Sequence, residues 1–190
     1  SAEDRRFDPV NVDADTVTSL SKQNFAVLDP SVKEKMRAQV EIARMDCDSL
    51  GGIVEIAVTG LPAGLGGPMF DGVENMIATA VFGIPAVKGI EFGAGFDFAK
   101  MRGSEANDQM YYDGDRVRCS SNNCGGITGG ITNSMPIVFR VALKPTPSIF
   151  KEQKTVNLIT GENSTLKIHG RHDPCIVPRA LPAIEAVTAI

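Results

Sequence analysis

The stretch Pro136-Ile137-Val138-Phe139-Arg140-Val141-Ala142-Leu143-Lys144-Pro145 carries the strongest strand signal in the chain. From Ile137 to Leu143 only Arg140 is charged, β-branched and aromatic residues predominate, and a proline stands at either side. The run reads as a strand over 136–144. Working outward, Ile53 to Thr59 is rich in β-branched residues and reads as a second strand, and 85–92 as a third. Between them, Asp71 is placed to cap a helix over 72–82. Further upstream, Ser31 followed by Glu34 has the form of a capping box, and Val32, Met36, Val40 and Ala43 recur at helical spacing, which predicts an amphipathic helix over 31–46. Residues 94–101 suit a short helix or turn. The stretch 102–118 is polar, charged and expected to be mobile. Thr155 to Thr160 and Thr165 to Ile168 read as short strands, and Pro178 opens a last helix running through Ala183, Ile184, Ala186 and Val187. Residues 1–30 are mixed and polar and give no element. Strands and helices in this order predict an α+β protein.

The chain has 190 residues, 43% hydrophobic and 22% charged, with a net charge of −4. That length suits a single domain over 1–190, and no shift in composition divides it. A weakly acidic chain with small basic clusters gives nucleic acid little to bind. No apolar run approaches the ~20 residues that span a bilayer. The polar start Ser1-Ala2-Glu3-Asp4-Arg5-Arg6 leads into no apolar segment and is not a signal peptide. Four cysteines are too few for a disulfide scaffold, so reduced thiols and a cytoplasmic location are expected.

Glycine is the compositional outlier, with 19 residues, most of them clustered. Three segments have the residue types for chemistry. Gly170-Arg171-His172-Asp173-Pro174-Cys175 places a cation, a titratable ring and a carboxylate in one proline-stiffened turn, although such a turn also satisfies itself when Arg pairs with Asp. Asn122-Asn123-Cys124-Gly125-Gly126-Ile127-Thr128-Gly129-Gly130 bares backbone N–H groups for an anion or a ring edge. It suits a plain surface loop equally well, and it matches neither a P-loop nor a dinucleotide fingerprint. Lys144-Pro145-Thr146-Pro147-Ser148 leaves the strongest strand as a cationic, hydroxyl-bearing rim, or as a simple strand exit. A zinc site built on Cys119 and Cys124 lacks a second ligand pair of matching spacing. Cys175 lies too close in sequence to His172 to suggest a thiol nucleophile with its base.

Taken in order, these motifs resemble chorismate synthase. Arg171 through Cys175, then Pro182 and Glu185, are similar to its C-terminal signature. Asp48-Ser49-Leu50-Gly51-Gly52, Gly60-Leu61-Pro62-Ala63-Gly64-Leu65-Gly66, Pro85-Ala86-Val87-Lys88-Gly89 and Gly103-Ser104-Glu105-Ala106-Asn107-Asp108 look like further family segments. The resemblance runs from about residue 31 to the end. It implies a sandwich of antiparallel sheets with helices between them, present here in part. It also implies elimination of phosphate from 5-enolpyruvylshikimate 3-phosphate with reduced FMN, NADPH as a candidate reductant, and a homotetramer. Carried over by motif, the flavin contacts are Ala86, Asn122, Gly129, Lys144, Pro145, Thr146, Pro147, Ser148 and Arg171, all expected on one face. Asp173 is implied as the carboxylate beside flavin N5, a proton acceptor; no metal is implied. The family's Gly-Glu-Ser-His-Gly segment and arginine-rich substrate site do not occur in these residues. The chain is therefore expected to be the C-terminal portion of such an enzyme, and the rival reading is a non-catalytic fragment that chiefly associates with itself.

Overall fold

A computed structural model describes residues 2–170 and 172–190. The first half contains α1 (Ala14–Ser21), α2 (Pro30–Met45), β1 (Gly52–Val58), α3 (Val73–Phe82) and β2 (Val87–Phe92). A short α4 (Gly103–Ala106) and the hairpin of β3 (Met110–Asp113) and β4 (Arg116–Cys119) come next. The remainder holds β5 (Ile127–Thr128), β6 (Ile131–Thr132), β7 (Ile137–Leu143), β8 (Gln153–Asn157), β9 (Glu162–Leu166) and α5 (Val177–Thr188).

The main sheet is antiparallel, in the order β1-β7-β2. Its centre is β7, paired along one edge with Gly52–Val58 and along the other with Val87–Phe92. Because side chains alternate along a strand, Ile137, Phe139, Val141 and Leu143 share one face with Val54 and Ile56. Here α3 and α5 cover the sheet, and Val81, Ala180 and Ile184 complete the core. Phe139 and Val141 have no exposed surface. The expected α+β class and its antiparallel sheet with packed helices are thus observed.

The opposite face is charged. Glu55, Arg140 and Glu91 stand in register across the three strands, and Arg140 pairs with Glu91. Glu55 is held from outside, accepting from Arg6 Nε at 2.7 Å and from the Phe7 amide at 3.0 Å. The N-terminal segment is therefore a strap across this face, anchored again where Asn122 Nδ2 donates to the Pro9 carbonyl at 2.8 Å.

Several elements differ from the sequence expectation. The second helix begins one residue before Ser31, with Pro30 in its first turn and Asp29 as N-cap, accepting from the Ser31 amide. Its half-buried Val32, Met36 and Val40 and its buried Ala43 are the predicted face. Asp13 caps α1, accepting from the Asp15 and Thr16 amides, in a region where no helix was expected. The stretch 102–118, expected to be a mobile loop, folds into α4 and the β3–β4 hairpin. The last two strands start and end earlier than predicted. Asn157 Oδ1 accepts from the Ile159 and Thr160 amides and turns the chain there.

Removing the central ring tests this hierarchy. Phe139→Ala should lower the free energy of unfolding by about 3–5 kcal/mol, the usual cost of emptying a fully buried aromatic site, as read by urea denaturation. Truncation of the exposed Phe96 is expected to change stability by no more than ~0.5 kcal/mol.

Candidate functional site

Where β7 ends at Leu143, three segments meet. The first is Lys144–Ser148, which leaves the sheet without regular structure and bends at Pro147. Its Lys144 amide donates to the Ala86 carbonyl at 2.9 Å. Ala86 itself sits at φ +74°, a left-handed conformation unusual for a residue with a side chain. The second is the turn His172-Asp173-Pro174-Cys175. The third is the loop Asp46–Gly51, which lies between the other two and bonds to both. Its Ser49 hydroxyl donates to the Thr146 carbonyl at 2.6 Å, and its Leu50 amide donates to the Pro174 carbonyl at 2.7 Å. Gly51 allows this crossing, since a β-carbon there would collide with the Leu143 carbonyl oxygen.

A small cleft of ≈ 30 Å³ opens between these segments, with Asp48, Ser49, Ser148, Phe150, His172 and Asp173 among its lining. Among the described residues, three buried polar atoms around this junction have no hydrogen-bond partner: Thr146 Oγ1, His172 Nε2 and Asp173 Oδ2. Arg179 Nε comes to 3.1 Å of Asp173 Oδ2 as an ion pair, without the alignment of a hydrogen bond. The His172 ring meets the Phe150 ring edge-on at 5.3 Å. On the rim, Lys151 Nζ bridges the Asp46 and Asp48 carboxylates. Those bonds, first from Asp46 and then from Asp48, hold the Lys151 ammonium above the usual lysine range, and the bond from Lys151 in turn lowers Asp48. Burial raises the Cys175 thiol, so it is not an activated nucleophile.

The second group of sequence-predicted residues lies at the other end of the sheet. Gly129, exposed at φ +61°, forms the β5–β6 turn with Gly130, whose carbonyl accepts from the Val73 amide at the start of α3. Asn122 is buried, and its side chain is consumed by the loop: Nδ2 donates to the Pro9 and Pro136 carbonyls and Oδ1 accepts from the Gly126 amide. Ala86 follows the opposite end of α3. By strand rise, the two ends of β7 are roughly 20 Å apart. The fold thus brings together Ala86, Lys144, Pro145, Thr146, Pro147, Ser148 and Asp173, and places Asn122 and Gly129 elsewhere. Arg171 lies outside the described residues.

The glycine-rich loop has its own anchor, Asp108, the last residue of the family-like segment Gly103–Asp108, whose role the sequence does not announce. Asp108 accepts from the Ser121 hydroxyl at 2.7 Å and from the Asn123 and Cys124 amides at 2.7 and 2.9 Å. Burial pushes its carboxyl up, but the bonds from Cys124, Ser121 and Asn123 outweigh it and leave the group below its usual value. Burial, followed by the Asp108 charge, drives the Cys124 thiol up to about 11.

These features define an α+β protein whose chemistry-bearing turns hang from one end of an antiparallel sheet, steadied by a glycine-rich loop at the other. The family model described as chorismate synthase matches residues 9–190, and the chain belongs to that family. It is 51% identical over 172 residues to the chorismate synthase of Dehalococcoides mccartyi, covering 90% of this chain and 47% of that protein. With the chorismate synthase of Methanosarcina mazei it shares 54% over 162 residues, covering 85% and 44%. A crystal structure of chorismate synthase superposes with a TM-score of 0.69 at 32% identity, over 86% of this chain and 42% of that one. The chain spans just under half the length of the curated relatives it matches. Among the described residues, no helix is long and apolar enough to cross a membrane.

The Asp108 anchor makes a pH prediction. A carboxyl lowered by folding contributes stability that is complete above its unfolded value of about 3.9 and is lost as pH falls through the lower folded value. Asp108→Asn should therefore destabilise the chain by about 1–2 kcal/mol at pH 7. It should also flatten the acid limb of a plot of unfolding midpoint against pH.

Proposed function

We propose that this chain supplies the flavin-facing half of a chorismate synthase, which eliminates phosphate from 5-enolpyruvylshikimate 3-phosphate with reduced FMN bound. The observation that carries this reading is the set of orphaned polar atoms at the Leu143 end of the sheet. A buried hydroxyl or ring nitrogen without a partner costs roughly 1–3 kcal/mol, and among the described residues Thr146 Oγ1 and His172 Nε2 lie so on two adjoining segments, beside Asp173 Oδ2, which has the Arg179 ion pair but no hydrogen bond. Their chemistry fits a flavin: a hydroxyl that donates or accepts, a carboxylate that accepts, and the Lys144 cation on the rim.

In this reading Lys144 and Arg171 supply positive charge to the cofactor. Thr146 and Ser148 supply hydroxyls, while Pro145 and Pro147 stiffen the segment. Ala86 contributes through its left-handed backbone, which fixes the Lys144 amide. Asn122 shapes the loop that presents the Gly129 backbone. When bound, reduced FMN supplies an electron-rich ring that favours loss of the substrate phosphate. Asp173 is the proton acceptor of the site, since Oδ2 is buried yet free of an aligned donor. NADPH as reductant, a homotetramer and a cytoplasmic location complete the proposal.

Self-association as a non-catalytic fragment is the second reading. It draws on the half-length match to the relatives and on apolar side chains that stand free, such as Phe70 and Ile159, 85% and 95% exposed.

The behaviour of Asp173 tests the catalytic reading. Placed within a protein of the relatives' length, Asp173→Asn should lower kcat by about 10²–10⁴-fold and leave FMN affinity nearly unchanged. Lys144→Ala should weaken FMN binding first. Loss of FMN with an intact rate at saturating flavin would show Asp173 to be a structural turn residue instead.

A further inference from the structure

We infer that Ser49 is a positioning residue for the candidate flavin site, setting the Lys144–Ser148 segment against the His172–Cys175 turn; the inference rests on reading that junction as the flavin site. Ser49 is buried, and its hydroxyl donates to the Thr146 carbonyl at 2.6 Å across 97 residues of sequence. The next residue, Leu50, is tied by its amide to the Pro174 carbonyl and bridges in parallel fashion to Cys175. One dipeptide therefore grips both segments that carry the orphaned atoms. Elsewhere the loop is pinned so that it cannot follow a shift of either one. The Cys47 carbonyl accepts from the Phe150 amide at 3.2 Å, Lys151 bridges Asp46 and Asp48, and Gly51 passes directly over the Leu143 carbonyl.

The Lys144–Ser148 segment has few other restraints. The Lys144 amide is bonded to Ala86 and the Pro147 carbonyl accepts from the Ile149 amide at 3.1 Å and from Gln153 Nε2 at 3.3 Å, but the strand ladder ends at Leu143, and Pro145 and Pro147 have no amide hydrogen to give. Between them, the Thr146 carbonyl is the one backbone acceptor that a side chain of the loop holds in place. Losing that bond lets the Thr146 peptide, and with it the orphaned Oγ1, shift between its two prolines. Ser49 touches neither cofactor nor substrate in this account. It acts through the peptide of Thr146.

Two variants of nearly equal shape isolate the hydroxyl. Ser49→Thr keeps the donor and Ser49→Val removes it, and both are titrated with oxidised FMN by quenching of flavin fluorescence, at a temperature where circular dichroism shows each folded. Ser49→Thr should bind close to wild type, and Ser49→Val about tenfold more weakly, the worth of one buried hydrogen bond. The visible band of FMN still bound to Ser49→Val should be shifted, which a change of stability alone leaves in place. Ser49→Ala adds no bulk, should behave like Ser49→Val, and decides the matter where that variant does not fold. Equal FMN affinity and spectra across all three overturn the positioning role and leave the flavin site standing. With the variants and the wild type carried in a protein of the relatives' length, a wild type that takes up no FMN overturns the flavin reading and this inference with it.

Discussion

Everything in this fold is hung on the burial of one strand. β7 is paired along both edges, covered by α3 and α5 on one face and partly by the N-terminal strap on the other. A strand enclosed on all sides has little freedom of register, because a slip of one residue would bring Arg140 into the core and send Phe139 out. That rigidity ends abruptly at Leu143. Beyond it runs a proline-bearing segment whose position is inherited from the strand. A site built on the end of the most fixed element is held more exactly than one built on a long loop.

The charged face shows the same constraint from the other side. Arg140 must alternate with core residues, so it cannot avoid lying between Glu55 and Glu91 once the strands are paired. Three charges in a row, partly removed from solvent, need outside partners to be tolerated. Arg6 and the Phe7 amide supply them for Glu55, which explains why a polar N-terminal segment without regular structure is nonetheless bound along the sheet.

Periodicity makes the main sheet legible in the sequence. The predicted strands 53–59, 85–92 and 136–144 correspond to β1, β2 and β7 to within two residues, because β-branched runs of that length have few alternatives. The hairpin at 110–119 escapes such a reading because Asp113, Asp115, Arg116 and Arg118 stand among its apolar residues and nearly all of its side chains but Cys119 lie towards solvent, so polarity suggests mobility. Its signal is present in Asp113-Gly114, where the glycine takes φ +62°. Leu158 and Ile159 mislead in the opposite sense: they are apolar but stand on an Asx turn, more than nine-tenths exposed. For the site, motif order leads to Lys144–Ser148 and Asp173, which the fold joins. It gives no warning that Gly129 lies a strand's length away, since spacing along the chain says nothing of which end of a sheet a loop occupies. The segment Asp48–Gly52 looks like a family motif, but nothing in it singles out Ser49, whose hydrogen-bond partner is 97 residues distant.

The orphaned atoms at the Leu143 end gain their meaning from how well the same chain satisfies its other buried polar groups. Asn122 makes three side-chain hydrogen bonds and is almost wholly enclosed. Thr132, also buried, donates to the Pro62 carbonyl at 2.7 Å and accepts from the Leu65 amide at 2.9 Å. Both lie at the opposite end of the sheet, in loops as irregular as those around Asp173. Irregular backbone is therefore no obstacle to full pairing in this fold. Apart from Arg140 Nε, the unpaired buried side-chain atoms among the described residues are those of Thr146, His172 and Asp173. A sequence able to satisfy Asn122 three times over leaves these open where Gly51 brings two backbone segments close together and Pro145 and Pro147 offer no amide hydrogen, so the deficit is a consequence of the built geometry. Unmet donors and acceptors held in fixed positions are what a polar ligand's recognition requires, and their desolvation is then offset on binding.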